Sequence, residues 1–148
     1  MPTDKHQVII AFLYRMLFPY MEQIGGVVLF ASLRLQIREG KFREPDLMLL
    51  RRATDPRREN RYWRGADLVI EVVSEDDPER DTIVKRVDYA EGGIPEYWIV
   101  NPTEETITVL ALQGDAYATH GVFGRGTVAT SVLLEGFAVV VDDVLDAE

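Results

Sequence analysis

Two acidic residues lie inside apolar segments that we predict to be buried strands. Asp46 belongs to the segment Arg43–Leu50, and Glu71 belongs to the segment Ala66–Ser74. A carboxylate is costly to remove from water unless a cation, a hydrogen-bond donor or a metal ion accompanies it. With Lys85 further along the chain, the order acid, acid, lysine supplies the groups needed for metal-assisted cleavage of a phosphodiester.

A hard divalent cation, Mg²⁺ or Mn²⁺, is the cofactor that such a pair of acids predicts. Mg²⁺ is usually held by one or two carboxylates together with water and substrate phosphate, so Asp46 and Glu71 are sufficient. Strand alternation places Glu71 on the same face as Asp67, and we expect Asp67 to border the same site. Each acid also has a structural alternative, in which it only pairs with a nearby arginine.

Lys85 falls in a predicted helix that runs from Pro78 to about Glu91. Pro78 suits a first helical turn, and Gly92-Gly93 ends the helix. The helical spacing predicts an apolar inner face made of Ile83, Val84, Val87 and Ala90. Lys85 would then lie on the other side, where an exposed pair with Asp81 is the structural alternative.

The remaining pattern predicts helices and strands that alternate along the chain. Apolar residues recur at helical spacing from Val8 to Met21, and this first helix ends at Gly25-Gly26. A strand over 33–37 turns at 39–41 into a strand over 42–50, and an arginine-rich loop over 51–65 precedes a strand over 68–73. Further strands are predicted over 94–100, 106–112, 115–120, 128–132 and 137–141.

Length and composition bound the class of protein. The 148 residues, 47% of them hydrophobic, fit one domain over 1–148 with its own core. Cysteine is absent, which excludes disulfides and thiolate metal sites, and neither a signal peptide nor a membrane span is apparent. We therefore expect a soluble, cytoplasmic protein.

Charge is distributed unevenly. The net charge of −9 argues against a surface that coats nucleic acid as a whole. Bases nevertheless outnumber acids between Lys41 and Arg64, which permits a local phosphate-binding surface, although a solvated arginine-rich loop explains the cluster equally well. His6 and His120 have no third ligand in view, so neither predicts a zinc site and a structural or exposed position is expected for both, although His6 could reach a substrate.

Several of these motifs occur in one order that is typical of a known family. The motifs are Pro45-Asp46, the segment Ala66–Ser74, Asp81 and Lys85 with Tyr89, and the segment Gly93–Pro102. Together they resemble the Uma-type branch of the PD-(D/E)XK nuclease superfamily. The resemblance runs from about residue 2 to residue 137 and so covers most of the chain.

The resemblance implies a fold and a set of roles. The fold is α/β with a restriction-endonuclease-like core, in which helices flank a central mixed β-sheet in the order α-β-β-β-α-β, followed by extra C-terminal strands. Asp46, Glu71 and the backbone carbonyl of Val72 would hold the metal ion, and Lys85 would be the catalytic lysine. The general superfamily pattern has its lysine two residues after the second acid, where this chain has Val73.

Three hypotheses about function are consistent with these residues. The first is a Mg²⁺- or Mn²⁺-dependent DNA endonuclease, with a homodimer as the assembly that would cut both strands. The second is a catalytically inactive nuclease-fold module that binds nucleic acid or protein, motivated by the short N-terminus, the acidic C-terminal half and the off-face position predicted for Lys85. The third is a dimeric scaffold, which leaves the buried acids unexplained.

Overall fold

The structure is a computed structural model that describes residues 2–148, without the side chains of Arg80 and Asp81. Its helices are α1 (Asp4–Ile24), α2 (Lys85–Glu91) and α3 (Val141–Leu145), and a π-helical turn, Arg80–Val84, leads into α2. Its strands are β1 (Val27–Phe30), β2 (Arg34–Arg38), β3 (Lys41–Arg43), β4 (Leu47–Leu50), β5 (Tyr62–Trp63), β6 (Leu68–Val72), β7 (Glu96–Asn101), β8 (Thr106–Gln113), β9 (Ala116–Gly124), β10 (Val128–Thr130) and β11 (Ala138–Val140). No helix of the described chain is sufficiently long and apolar to cross a membrane.

A six-stranded mixed sheet in the order β1-β4-β6-β7-β8-β9 forms the centre of the fold. Only β6 and β7 pair in parallel within it, and every other neighbouring pair is antiparallel. The α/β class with a central mixed sheet, flanking helices and extra C-terminal strands is therefore confirmed.

Alternating residues of the central strands enter two separate cores. Leu68, Ile70 and Val72 face the core that α1 covers, whereas Val69 and Val73 face the core that contains Tyr89 of α2. This period of two explains why β6 is buried at every position. Glu71 takes the same face as Val69 and Val73, so its carboxylate points toward α2.

The helix α1 covers its core with residues at i, i+4 and i+8. The side chains of Ile9, Leu13 and Leu17 are at most 1% exposed, as helical spacing predicts. The cap is Thr3, whose hydroxyl accepts the N–H of His6, and Gly25 ends the helix in the left-handed conformation. The first turn of α1 is thereby fixed beside the end of β6.

The segment 42–50 is not one strand. β3 pairs with β2 in a small sheet of order β3-β2-β5, and β4 enters the central sheet between β1 and β6. Pro45 separates them because it has no N–H to donate to a ladder. The strand β1 was not expected from the sequence, and neither were the two-residue β5 and the short helix α3.

The apolar face predicted for the second helix is wrong at three of its four positions, and only Ala90 packs against the core. Ile83, Val84 and Val87 are 57%, 47% and 64% exposed, whereas Asp88 and Tyr89 are buried. A π-helical turn contains an additional residue and so rotates the helix after it. The inward face of α2 contains polar groups because the residues facing it are themselves charged.

Asp88 connects α2 to the β2–β3 hairpin. It is 5% exposed and accepts hydrogen bonds from the Arg43 guanidinium, and Lys41 Nζ lies 2.7 Å from its Oδ1. Burial by itself would raise the pKa of Asp88, but these two cations outweigh burial and leave the pKa below its usual value. The ionised carboxylate therefore stabilises the fold.

We predict that Asp88→Asn lowers the free energy of unfolding by about 2 kcal/mol at pH 7, because hydrogen bonds to a charged group are lost. The pKa of Asp88 is lowered in the folded state, so its stabilisation is complete above the unfolded pKa of about 3.9 and is lost as the pH falls through the folded pKa. Urea unfolding between pH 2 and pH 7 measures this, with Asp115→Asn in an exposed turn as control. A difference from wild type that stays constant down to pH 2 would contradict the assignment.

Candidate active site

Two hydrogen bonds between side chains and backbone connect Asp46 to residues 71 and 72 at the end of β6. Asp46 Oδ2 accepts the backbone N–H of Val72 at 2.7 Å, and Glu71 Oε1 accepts the backbone N–H of Asp46 at 3.3 Å. The β4–β6 ladder pairs Leu47 with Ile70, and its continuation sets Asp46 opposite Glu71. The two acids predicted from separate segments therefore lie next to each other, where β6 ends.

Glu71 is 1% exposed, and α2 supplies donors to its carboxylate. Tyr89 donates its hydroxyl to Glu71 Oε2 at 2.5 Å, and Lys85 Nζ lies 3.2 Å from the same oxygen. Burial raises the pKa of Tyr89 well above its usual value, and the negative charge of Glu71 raises it further. The phenol thus stays protonated and continues to donate.

Lys85 faces the acids and not the solvent. Its side chain is 19% exposed and is four residues from Tyr89, so both project from one side of α2. Helical spacing predicted an outward position for Lys85, because Ile83, Val84 and Val87 were expected to form the buried face. These three residues are exposed, so the opposite side of the helix, with Lys85, faces the acids. The alternative pair with Asp81 involves a side chain outside the described residues.

His6 reaches the same place from α1. Its Nε2 lies 3.0 Å from the carbonyl oxygen of Val72 and 3.4 Å from Asp46 Oδ2. The hydrogen bond with Asp46 raises the pKa of His6 above its usual value, although burial opposes the shift. Within the described chain, His6 Nδ1 is a buried atom without a hydrogen-bond partner.

An open cavity of about 380 Å³ lies over these groups. It is lined by Pro2, His6, Gln7, Ala31, Ser32, Glu44, Asp46, Val72, Ser74 and Lys85. Its size falls within the range of small-ligand sites. The carboxylates of Glu44 and Asp46, with Glu71 behind them, outnumber the cation of Lys85, so a phosphate would be repelled unless another cation neutralised this charge.

The donor set fits a hard divalent ion. Asp46 Oδ1 has no hydrogen bond in the part of the chain that the structure describes, and the carbonyl of Val72 lies on the same side of the site. Across those residues, no group of three or more His, Cys, Asp or Glu side chains is arranged to hold a metal ion. An ion here would therefore depend on few side chains, a backbone carbonyl and water, as is common for Mg²⁺.

Asp67 does not border the site. It lies four residues before Glu71 and directly before β6, a separation of about 13 Å in extended chain. Its carboxylate accepts the N–H of Arg51 at 2.8 Å and the guanidinium of Arg57 at 2.8 Å. The expectation that Asp67 shares the site with Glu71 is wrong, because its charge is used to hold the arginine-rich loop.

The arginine-rich loop is partly neutralised by its own acids. Arg57 lowers the pKa of Asp55 to about 2 through its side-chain hydrogen bond, and Arg64 pairs with Glu59. Among the arginines of this loop, all of them described, Arg52, Arg58 and Arg61 have no carboxylate within ion-pair distance. The loop begins at the end of β4 that is farther from Asp46. None of its residues lines the cavity.

Two members of the cluster were only partly anticipated from the sequence, Tyr89 as part of a motif without a role and His6 as a residue that could reach a substrate. Tyr89 is one helical turn beyond Lys85, so its position could have been inferred had Lys85 been placed correctly. His6 had only its location in the first turn of a helix. The contact between this turn and the end of β6 is tertiary and cannot be inferred from a single sequence.

Comparison with known proteins shows the same fold and a family. The family model Uma2, described as "putative restriction endonuclease", matches residues 1–144. A crystal structure of a "putative nuclease belonging to DUF820" from Anabaena variabilis superposes with a TM-score of 0.77 at 21% identity, covering 99% of this chain and 83% of that one. No curated protein matches the chain.

We predict that Tyr89→Phe lowers the free energy of unfolding by about 1–2 kcal/mol at neutral pH, because Glu71 loses a buried donor. Since the pKa of Tyr89 is raised in the folded state, the stabilisation is complete below the unfolded pKa of about 10 and is lost as the pH rises further. Denaturant unfolding between pH 7 and pH 11 should therefore show the wild-type advantage shrinking above pH 10.

Tyr14→Phe is the matched control for this experiment. Within the described chain the Tyr14 hydroxyl makes no hydrogen bond, so neither effect is expected. An unchanged stability in Tyr89→Phe would show that Tyr89 does not support Glu71.

Proposed function

The chain belongs to the Uma2 family, and from this premise we propose that it is a divalent-metal-dependent nuclease that hydrolyses phosphodiester bonds in DNA. The observation that carries the proposal is the convergence of Asp46, Glu71 and Lys85 at one strand end beneath an open cavity. Structural ion pairs do not require such a cavity. The membership supports a nuclease-like function, and the metal, the substrate and the roles of individual residues are our inference.

Asp46, Glu71 and the backbone carbonyl of Val72 would hold Mg²⁺ or Mn²⁺, with water completing the coordination. The ion supplies an activated water and neutralises charge that develops on the phosphate. The hydrogen bonds from the Val72 N–H to Asp46 Oδ2 and from the Asp46 N–H to Glu71 Oε1 keep both carboxylates in place before substrate arrives. This preorganisation reduces the rearrangement required in the transition state.

Lys85 has a separate role in this proposal. Its ammonium group lines the cavity and is held near Glu71 at 3.2 Å. From there it can donate a hydrogen bond to a phosphate oxygen or to the attacking water, where negative charge increases during the reaction. Tyr89 supports this arrangement because it donates to the same carboxylate oxygen.

The charge of the site indicates the substrate class. A cavity rich in carboxylates admits a phosphodiester only together with a cation, which links substrate binding to metal binding. The acidic net charge of the chain implies few phosphate contacts outside the site. A homodimer would supply the second active site needed to cut both strands of a duplex.

We predict that purified protein nicks or cuts plasmid DNA with Mg²⁺ or Mn²⁺ and is inactive with excess EDTA. Asp46→Asn, Glu71→Gln and Lys85→Met should each lower the cleavage rate by about 100- to 1,000-fold, because each removes a charged group from the site. Rates are measured on supercoiled and linear DNA under single-turnover conditions. Protein purified from cells that express Glu71→Gln controls for a contaminating nuclease.

Asp115→Asn is the matched acid control and Arg61→Gln the matched cation control. Both residues are exposed and outside the cavity, so both variants should cut at the wild-type rate. Cleavage that survives Glu71→Gln would contradict the assigned mechanism. Metal binding that depends on Asp46, with no cleavage of DNA or RNA, would instead favour the inactive nuclease-fold module.

A further inference from the structure

We propose that His6 is a ligand of the metal ion, so that the site has mixed nitrogen and oxygen donors and selects Mn²⁺ over Mg²⁺. The inference rests on the proposed function for the presence of an ion near Asp46. It adds a side chain from α1 to a set otherwise drawn from the central sheet. It also predicts a stronger preference for Mn²⁺ over Mg²⁺ than two carboxylates alone would give.

Three electron-pair donors converge at this place. They are His6 Nε2, the carbonyl oxygen of Val72 at 3.0 Å from it, and the carboxylate of Asp46, whose Oδ2 lies at 3.4 Å and whose Oδ1 makes no hydrogen bond within the described chain. A carbonyl and a carboxylate accept hydrogen bonds and do not donate them. A proton on Nε2 is sufficient to join them, because Nε2–H then donates to these oxygens, and a metal ion bound among the same three atoms would replace that proton.

The separations agree with those of ligands that share one ion. Bonds of about 2.1 Å at right angles put neighbouring donor atoms about 3.0 Å apart, as octahedral coordination requires. Imidazole nitrogen binds metal at about 2.0–2.1 Å, so His6 fits such a position without a large movement. Both measured separations are within about 0.4 Å of this spacing.

The fold holds His6 in this position. Its backbone N–H is bonded to the capping hydroxyl of Thr3, and the buried Ile9 and Leu13 anchor the following turns of α1. The neighbouring Lys5 donates to the carbonyl of Ala147 at 2.7 Å, which attaches the same turn to the end of the chain. The imidazole is therefore placed by packing and needs little additional order to bind an ion.

A nitrogen ligand changes which ion the site prefers. Mg²⁺ favours oxygen donors and releases its water reluctantly, whereas imidazole suits transition metals. Mn²⁺ accepts both kinds of donor and keeps the octahedral arrangement. The wild-type site should therefore bind Mn²⁺ more tightly than Mg²⁺, and removal of His6 should reduce that preference.

The test is pulsed EPR of the Mn²⁺-loaded protein, which detects ¹⁴N bound to the ion, together with calorimetric titration by Mn²⁺ and Mg²⁺. Wild type should show ¹⁴N coupling. His6→Ala should lose the coupling and about 10- to 100-fold in Mn²⁺ affinity, with a smaller loss for Mg²⁺. His6→Gln offers an oxygen at similar reach, so it should lose the coupling while it keeps more of the Mg²⁺ affinity.

His120→Ala is the matched control, since His120 is the second histidine of the chain and contacts Thr130 outside the site. It should keep both the coupling and the affinity, and thermal unfolding verifies that every variant is folded. If Mn²⁺ binding depends on Asp46 but ¹⁴N coupling is absent, or persists in His6→Ala, the role of His6 is wrong and the proposed nuclease stands. If no Mn²⁺ binding depends on Asp46, both proposals are wrong.

Discussion

The cross-connection between Asp46 and Glu71 is the constraint on which the site depends. β4 ends its pairing with β6 at Leu47, and beyond that point the carboxylate of Asp46 bonds the backbone of Val72 while the carboxylate of Glu71 bonds the backbone of Asp46. Side chains thus extend the connection between the two strands past the end of the backbone ladder. The register of one strand pair fixes both acids, and the adjoining carbonyl of Val72 is fixed with them.

The burial of Glu71 then determines how α2 packs. A carboxylate at 1% exposure requires donors, and Tyr89 and Lys85 provide them from one side of the helix. Asp88 on the same side is neutralised by the β2–β3 hairpin. These inward polar residues, Lys85, Asp88 and Tyr89, are the reason that Val87 of α2 and the preceding Ile83 and Val84 are exposed, against the usual amphipathic arrangement.

Much of the fold could be predicted from the sequence because the spacing of apolar residues indicates the type of each element and which of its faces is buried. The helix α1, the hairpin of β2 with β3, and the buried strands β6 and β7 were predicted from spacing of 3.6 or 2 residues. The break at Pro45 was missed although a proline within a predicted strand argues against a continuous ladder, whereas the rotation at the π-helical turn depends on tertiary partners. Asp46 and Glu71 were identified because acids in apolar strands need an explanation, whereas Lys85 was misplaced by a rule that assumes an apolar interior. His6 lies 65 residues from Glu71 in the sequence, and only the docking of α1 brings the two together.

The central claim is that one divalent ion binds where Asp46, Glu71 and Val72 meet. The most direct measurement is the anomalous difference map of a crystal soaked in Mn²⁺. We expect one strong peak bonded to Asp46 and to the carbonyl of Val72, with Glu71 in its coordination sphere directly or through water. A soaked crystal with no peak at this position, or with Mn²⁺ bound only elsewhere, would contradict the claim.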